Sequence, residues 1–465
     1  MKKGLILVFA AVFCAGLPAF SVFAQDQEAD PSDFSFDLGL GLGVRRFFNG
    51  EYIPGAAKPE TFLYQYAGLS PVFRFKKFEL ALDFDVHFRF DGGDEKNEFE
   101  LRKEDWEAAG MWEIVNLYLP KIRSMRFGTK GDPFAMRLGD IDGISLGNGF
   151  IVSSYTNGLF QPENRVLGAV FDIDGSLVDI PYFGIEAFTA NAARFDMFAG
   201  RMYVRPLAAF QDSILKDLEV GGAMVMDRDP FYFAGRYEMY KSAFLANGDD
   251  DPCVSISGLD FNVPLLKDPV FSFTLRGDRA SQNKKTGWMG GVSGRFLRVV
   301  TYEGQFRVLD TGFIPGYFDA SYDLYRPELY AIYNAENSGN AAAETCKAYL
   351  GSLGLSLCDD KIVFKAVSEG PVWSAEGRLY NWQGILMLKE GVVPNFSFDI
   401  LYDKKNMAAF DDFIVWKRES LVRARFHFHS GPAILSLVYA LRYIPTDSGP
   451  DRQVMAGVEG RITLY

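Results

Sequence analysis

Cysteine is nearly absent, with four residues in 465, at Cys14, Cys253, Cys346 and Cys358. That excludes a disulfide scaffold, and no Cys-x-x-Cys or His/Cys spacing suggests zinc. Histidine is scarcer still, at three residues, which leaves little material for general-base chemistry or metal ligation. Basic charge is in deficit, with 48 Lys and Arg against 60 Asp and Glu and a net charge of −12. The chain therefore lacks the basic footprint of a nucleic-acid binder, and no nucleic-acid partner is expected. No apolar run of about 20 residues follows Gln25, so no transmembrane helix is expected there.

What the chain has in quantity is aromatic residues and glycine: 43 Phe, 22 Tyr and 46 Gly, within a composition that is 48% hydrophobic. Intrinsic disorder is excluded by that aromatic content. Residues 1–24 read as an export signal that is cleaved. Lys2 and Lys3 form a positive start, Leu5 to Phe13 is apolar, and Val22-Phe23-Ala24 places small or modest residues before Gln25. The expected organisation is a signal peptide over 1–24 and one domain over 25–465. An exported chain meets an oxidising compartment, where the spacing allows a bond between Cys346 and Cys358 without requiring one.

The dominant pattern is period two. Phe34, Phe36, Leu38, Leu40, Leu42 and Val44 alternate with Ser35, Asp37, Gly39, Gly41 and Gly43. Phe78, Leu80, Leu82, Phe84, Val86, Phe88 and Phe90 oppose Glu79, Asp83, Asp85, His87 and Arg89. The scheme returns at Val300–Asp310 and at Val422–His429. Successive strand side chains point to opposite faces, so each segment is a strand with one apolar and one charged surface. Strands of soluble sandwiches run to ~5–6 residues, whereas a tilted strand crossing a bilayer needs ~9–11. The clearest segments here reach the longer figure. The expected fold is all-β: a single closed antiparallel transmembrane β-barrel of roughly 16–20 strands, with lipid outside and water within.

The connections fit short periplasmic turns and long external loops. Lys76-Lys77, Leu297-Arg298 and Pro264–Pro269 read as the short turns. The stretches 45–60, 91–105, 279–286 and 311–347 read as the long loops. Val454, Ala456, Val458, Ile462 and Leu464 make an apolar face suited to a closing strand, with Tyr465 out of phase behind it. In Arg201-Met202-Tyr203-Val204-Arg205-Pro206-Leu207, followed by Leu218-Glu219-Val220-Gly221, the chain resembles spirochaete-like, porin-like outer-membrane β-barrel proteins of bacteria. That resemblance spans nearly the whole mature chain. It implies integral residence in the outer membrane, with membrane lipid, the barrel assembly machinery and small solutes as partners. Alternation starts about ten residues after the expected cleavage, so no separate plug domain is expected before the first strand, as an energised transporter would carry.

Chemistry is thin. His87 shares a face with Asp83 and Asp85, but same-face neighbours lie ~6.6–7 Å apart, too far for a reliable hydrogen bond. No Gly-x-Ser-x-Gly elbow is present, so no enzyme is expected, and no cofactor or metal is implied. The acidic clusters Asp91–Glu95 and Asp249–Asp251 lack calcium-loop spacing. The charged faces read better as a pore lining. Asp83, Asp85, His87 and Arg89 would form one wall, with Glu303 and Arg307 on a second. Glu376 and Arg378 would form a third, and Arg423, Arg425 and His427 a fourth. Alternatively, opposite walls neutralise one another and pack the lumen shut.

The stretch 311–347 holds Tyr317, Phe318, Tyr322, Tyr325, Tyr330 and Tyr333 together with Arg326 and Glu328. A short helix is expected to start at Pro327. So many tyrosines suit a segment folded into the lumen as a constriction better than a cap in open water. Gly143–Pro162, rich in Gly and Asn, is a candidate for a second inward segment. The function these features suggest is passive diffusion of small solutes through a charged lumen narrowed by the 311–347 loop. The alternatives are a transporter of hydrophobic substrates, a surface adhesin or scaffold barrel, and a secreted multi-domain β-protein.

Overall fold

The computed structural model describes residues 34–49, 60–91, 98–108, 110–160, 165–180, 182–210, 213–232, 252–335, 345–373, 379–414, 420–431, 433–446 and 449–464. The leader 1–24, Tyr465, Asp249–Asp251, Glu376 and Arg378 lie outside them.

Among the described residues the chain forms a closed antiparallel barrel of twenty strands. The first four are β1 (Ser35–Asn49), β2 (Glu60–Phe75), β3 (Phe78–Leu82 continued by Phe84–Asp91) and β4 (Glu98–Leu101 resumed at Ile122–Phe127). Then come β5 (Phe134–Gly139), β6 (Gly168–Asp174), β7 (Phe183–Thr189), β8 (Met197–Val204) and β9 (Glu219–Asp227). The next group is β10 (Val254–Lys267), β11 (Phe271–Gln282), β12 (Lys285–Phe296), β13 (Val300–Leu309) and β14 (Cys346–Leu357). The last are β15 (Ile362–Pro371), β16 (Tyr380–Val393), β17 (Phe396–Met407), β18 (Ser420–Ser430), β19 (Ala433–Thr446) and β20 (Gly449–Leu464). Each strand pairs with the next, and β20 returns to β1 with Leu38 opposite Leu464 and Val44 opposite Val458. Closure removes the free edge that a bilayer would leave without hydrogen-bond partners.

Burial runs opposite to that of a soluble protein. Leu42, Leu259 and Met202 are 66, 62 and 64% exposed, while the charged Arg201, Asp260 and Arg307 are 3, 6 and 3% exposed. Apolar side chains on the outer surface and ionised ones within is the arrangement a lipid solvent demands. It makes the molecule an integral membrane barrel of the bacterial outer-membrane kind. No helix among the described residues is long and apolar enough to cross a membrane, so the strands do the crossing.

Several connections differ from the sequence reading. Residues 279–286 are no long loop: β11 and β12 stay paired to Gln282 opposite Lys285, and only Asn283-Lys284 turns. Both turn residues have positive φ (40° and 67°), as a two-residue hairpin requires. Polar residues made this stretch look like a loop, but Gln282 and Lys285 are buried on the barrel interior. The Pro264–Pro269 link is shorter than expected, because β10 absorbs Pro264 at a register shift and runs on to Lys267. Within 91–105, Glu98–Leu101 is strand, paired with Phe88–Asp91. Cys346 and Cys358 are both free thiols. They sit at opposite ends of one extended strand, roughly 35–40 Å apart, far beyond disulfide reach.

Two segments fold inward. The first, 140–160 with 165–167, leaves β5 at Gly139, whose φ of 113° turns the chain where a Cβ would strike the Arg123 carbonyl. The second, 310–335, leaves β13 and carries a helix, α2, at Tyr322–Asn334; α1 is Met111–Tyr118, inside β4. Pro327 lies in the interior of α2 and not at its start, because tertiary burial of Tyr322, Leu324 and Arg326 extends the helix toward its amino terminus. The two segments zip together. Gly316 N–H donates to Phe150 O at 2.8 Å and Phe318 N–H to Ile151 O at 3.1 Å. Val152–Ser153 and Phe318–Asp319 form a parallel ladder. Phe150, Tyr155, Tyr317 and Tyr322 then pack against Phe188, Met197, Val225, Ile256 and Met289 of the wall. One side of the barrel interior is thereby a dry core.

Candidate functional site: the luminal path

The other side is polar, and β13 organises it. Glu303, Gln305 and Arg307 share one face by strand periodicity. Arg276 on β11 donates to Glu303 at 3.3 Å, and Gln305 Nε2 donates to the same carboxylate at 2.8 Å. Arg307 donates to Gln305 Oε1 at 2.9 Å and to Glu369 at 2.7 Å; Asn381 Nδ2 donates to Glu369 at 2.9 Å. The result is a hydrogen-bonded ladder climbing the wall with alternating sign. On β17, Lys405 pairs with Asp319 of the second inward segment.

Two cavities flank this ladder. The upper, of about 640 Å³, lies between the wall and residues 311–332 and is lined by Phe313, Tyr317, Tyr325, Leu329 and Ile332. The lower, of about 330 Å³, is lined by Arg276, Glu303, Gln305, Lys365 and Asp403. Arg307, Asp319, Glu369, Asn381 and Lys405 line both. Two ion pairs and an amide therefore ring the place where the cavities meet.

The inward segment is held from the dry side by a buried charge cluster. Arg326, 1% exposed, donates to Asp323 at 2.8 Å and Asp196 at 3.0 Å, with Asp227 at 3.5 Å. Tyr322 donates to Asp227 at 2.5 Å and Tyr155 to Asp323 at 3.2 Å. Burial pushes the Asp323 carboxyl up to about 6, outweighing its pairing with Arg326. The Tyr322 and Tyr317 hydroxyls are pushed up by burial too.

The residues singled out in the sequence do not all converge. Glu303 lines the lower cavity and Arg307 lines both. Asp83 takes hydrogen bonds from Ser70 (2.6 Å) and Arg165 (3.0 Å) elsewhere in the interior. Asp85 is 2.5 Å from Arg45, and His87 Nδ1 lies 2.7 Å from Asp105. The i+2 argument against a His87 partner holds along β3, but the partner comes from the insertion in β4. Arg89 donates to Glu100 at 2.6 Å, Arg425 to Asp399 at 3.0 Å, and His427 Nδ1 meets Ser436 Oγ at 2.7 Å. Arg423 approaches Asp142 of the first inward segment at 3.9 Å. Of the aromatic stretch, Tyr317, Tyr322 and Tyr330 are buried, Tyr325 faces the upper cavity, and Tyr333 donates to Ser255 O at 3.1 Å. Sequence reasoning missed Arg276, Asp319, Glu369, Asn381 and Lys405. Asp403-Lys404-Lys405 was the visible signal, since three successive charged residues break a strand's alternation.

Fold and lining together define a transmembrane β-barrel of outer-membrane architecture. No family model matches the chain, and no curated protein matches it. Among solved structures it is similar to a BenF-like porin from Pseudomonas fluorescens Pf-5, at 8% identity, covering 93% of this chain and 99% of that one, with a TM-score of 0.32. It is also similar to OccK3 (OpdO) of Pseudomonas aeruginosa, at 9% identity, covering 93% and 96%, with a TM-score of 0.35. CdiB from Acinetobacter baumannii matches at 8% identity and a TM-score of 0.26. That match covers 92% of this chain and 60% of CdiB.

Proposed function

We propose that this barrel is an outer-membrane channel for passive diffusion of small polar solutes. The path is eccentric, confined between the inward segments and the β13–β17 wall. The carrying observation is the shared lining: seven residues, Pro315 and Gly316 among them, border both the upper and the lower cavity, so the two are successive chambers of one route. Charges in an enclosed aqueous space avoid the desolvation that lipid would impose, and they sort solutes by sign and dipole. On this reading Tyr317, Tyr325 and Asp319 form the constriction, with Tyr322, Arg326, Tyr330 and Tyr333 holding it in place. The barrel assembly machinery is the partner proposed for insertion.

Purified protein in a planar bilayer should give discrete conductance steps in KCl. Deletion of Gly316–Asn340 should enlarge those steps. Electrical silence, or steps unaltered by the deletion, overturns the reading.

One observation favours a second reading, a transporter of hydrophobic substrates. Among the described residues β4 runs beside β3 only at Phe78–Leu82 and Phe88–Asp91. Between them α1 interrupts β4, with Met111, Ile114 and Tyr118 exposed. A lateral route there predicts uptake of an apolar dye into proteoliposomes that cross-linking α1 to β3 abolishes.

A further inference from the structure

The polar path carries more information than a bare pore would. Its ionised groups come as fixed pairs of opposite sign, and the chamber above them is aromatic. This inference deepens the channel reading and rests on it.

A singly charged solute gains from one rung of such a ladder what it loses at the next, because the attraction of one partner is offset by repulsion from the other. A solute carrying both signs a few bonds apart meets complementary charge at each pair. At Arg307–Glu369 its anionic end replaces the carboxylate beside the guanidinium, and its cationic end meets Glu369. Lys405 and Asp319 offer the same exchange across the path. The hydrogen bonds of Arg307 to Gln305 and of Glu369 to Asn381 hold the pair in orientation without a ligand, so little reorganisation opposes binding.

The upper chamber adds a second requirement. Tyr317 is 1% exposed and lines that chamber. Its hydroxyl makes no hydrogen bond among the described residues, an uncommon condition for a buried donor. Tyr325 contributes a ring to the same lining, with the Lys405 ammonium 5.9 Å from its centroid. A flat ring can lie against Tyr325, which is only partly buried, while its charged end reaches the pairs below.

We propose that the chambers form a binding site for ring-bearing zwitterions, that is, small amphoteric solutes joining an aromatic group to adjacent ammonium and carboxylate groups. The site retains them briefly on the way through.

Three probes of nearly one shape test this: L-phenylalanine, phenethylamine and 3-phenylpropionate, added to the full chain in a planar bilayer in KCl at neutral pH. Phenylalanine should interrupt the current at roughly tenfold lower concentration than either singly charged analogue, the ratio expected for one added charge-assisted contact. The R307Q/E369Q double substitution should erase that preference, and Y317F should shorten the interruptions. Conduction with equal block by all three probes, or strongest block by a singly charged one, overturns the zwitterion site while leaving the channel reading intact. Absence of conduction overturns the channel reading. Calorimetric titration of the three probes into detergent-solubilised protein then decides the site by itself, and equal or absent heats reject it.

Discussion

Lys405 on β17 grips Asp319, the residue that ends the short parallel ladder joining the two inward segments. The pair ties the interior structure to the wall that borders both cavities. Both side chains are partly open to solvent, at 18 and 27%, so the bond is worth about 1 kcal/mol or less. A contact that weak exchanges readily with a charged solute on the proposed route.

The first prediction follows from that pair. K405M or D319N should raise single-channel conductance and make the open current noisier, with melting changed little. The reversed pair D319K/K405D should return the wild-type trace. Bilayer recording checks this, and identical conductance in all forms would show that the pair does not border the route.

Arg326 should behave differently. It is buried among three carboxylates, and its removal leaves those charges facing one another in the dry half. A loss of about 3–5 kcal/mol in the attachment of the inward segment is expected for R326A. Trypsin cleavage within 310–345 should accelerate in the folded, detergent-solubilised protein while the barrel itself stays resistant. A cleavage pattern matching wild type would contradict the anchoring role.

The same cluster sets a pH dependence. The Asp323 carboxyl ionises near 6 when buried and near 3.8 when released. Between those values the attached segment holds a proton that the detached one has lost. Attachment is therefore strongest below about pH 4 and weakens as pH rises through about 6. Cleavage of 310–345 by a protease active across this range should slow on going from pH 7 to pH 5, and D323N should flatten the profile. An opposite slope would refute the assignment.

A glycine locates the root of the segment. A Cβ at Gly287 would lie 2.4 Å from the Phe313 ring, and Phe313 stacks on Phe150 with centroids 5.5 Å apart. G287A should displace Phe313 and loosen the dry core at a cost of about 1–3 kcal/mol. The readouts are a lower melting temperature of the inner structure and larger conductance. G290A, where a Cβ meets nothing within 4 Å, serves as the control.

The barrel was legible because its cause is local. A strand in a bilayer repeats its pattern every two residues, and Phe78–Phe90 or Val422–His429 display that repeat without help from the rest of the chain. The interior was legible only in part. The tyrosines of 311–347 indicated a buried destination, but their partners lie far away in sequence: Tyr322 meets Asp227, and Arg326 meets Asp196. Val254, Ile256 and Met289 are apolar on the inward face because a folded segment covers them. A period-two reading assigns such residues to lipid. Gln282 and Lys285 failed in the opposite sense: they bind the Ile314 and Ile332 carbonyls at 2.6 and 2.7 Å, so polarity that resembled a loop belongs to a strand end.

The parallel ladder joins Val152–Ser153 to Phe318–Asp319, two stretches separated by eight intervening strands. Its two halves are brought side by side only when the wall from β6 to β13 curves round to set them within reach of each other. Exclusion of water from the interior is therefore a non-local event, tied to curvature of the wall and to no single hairpin.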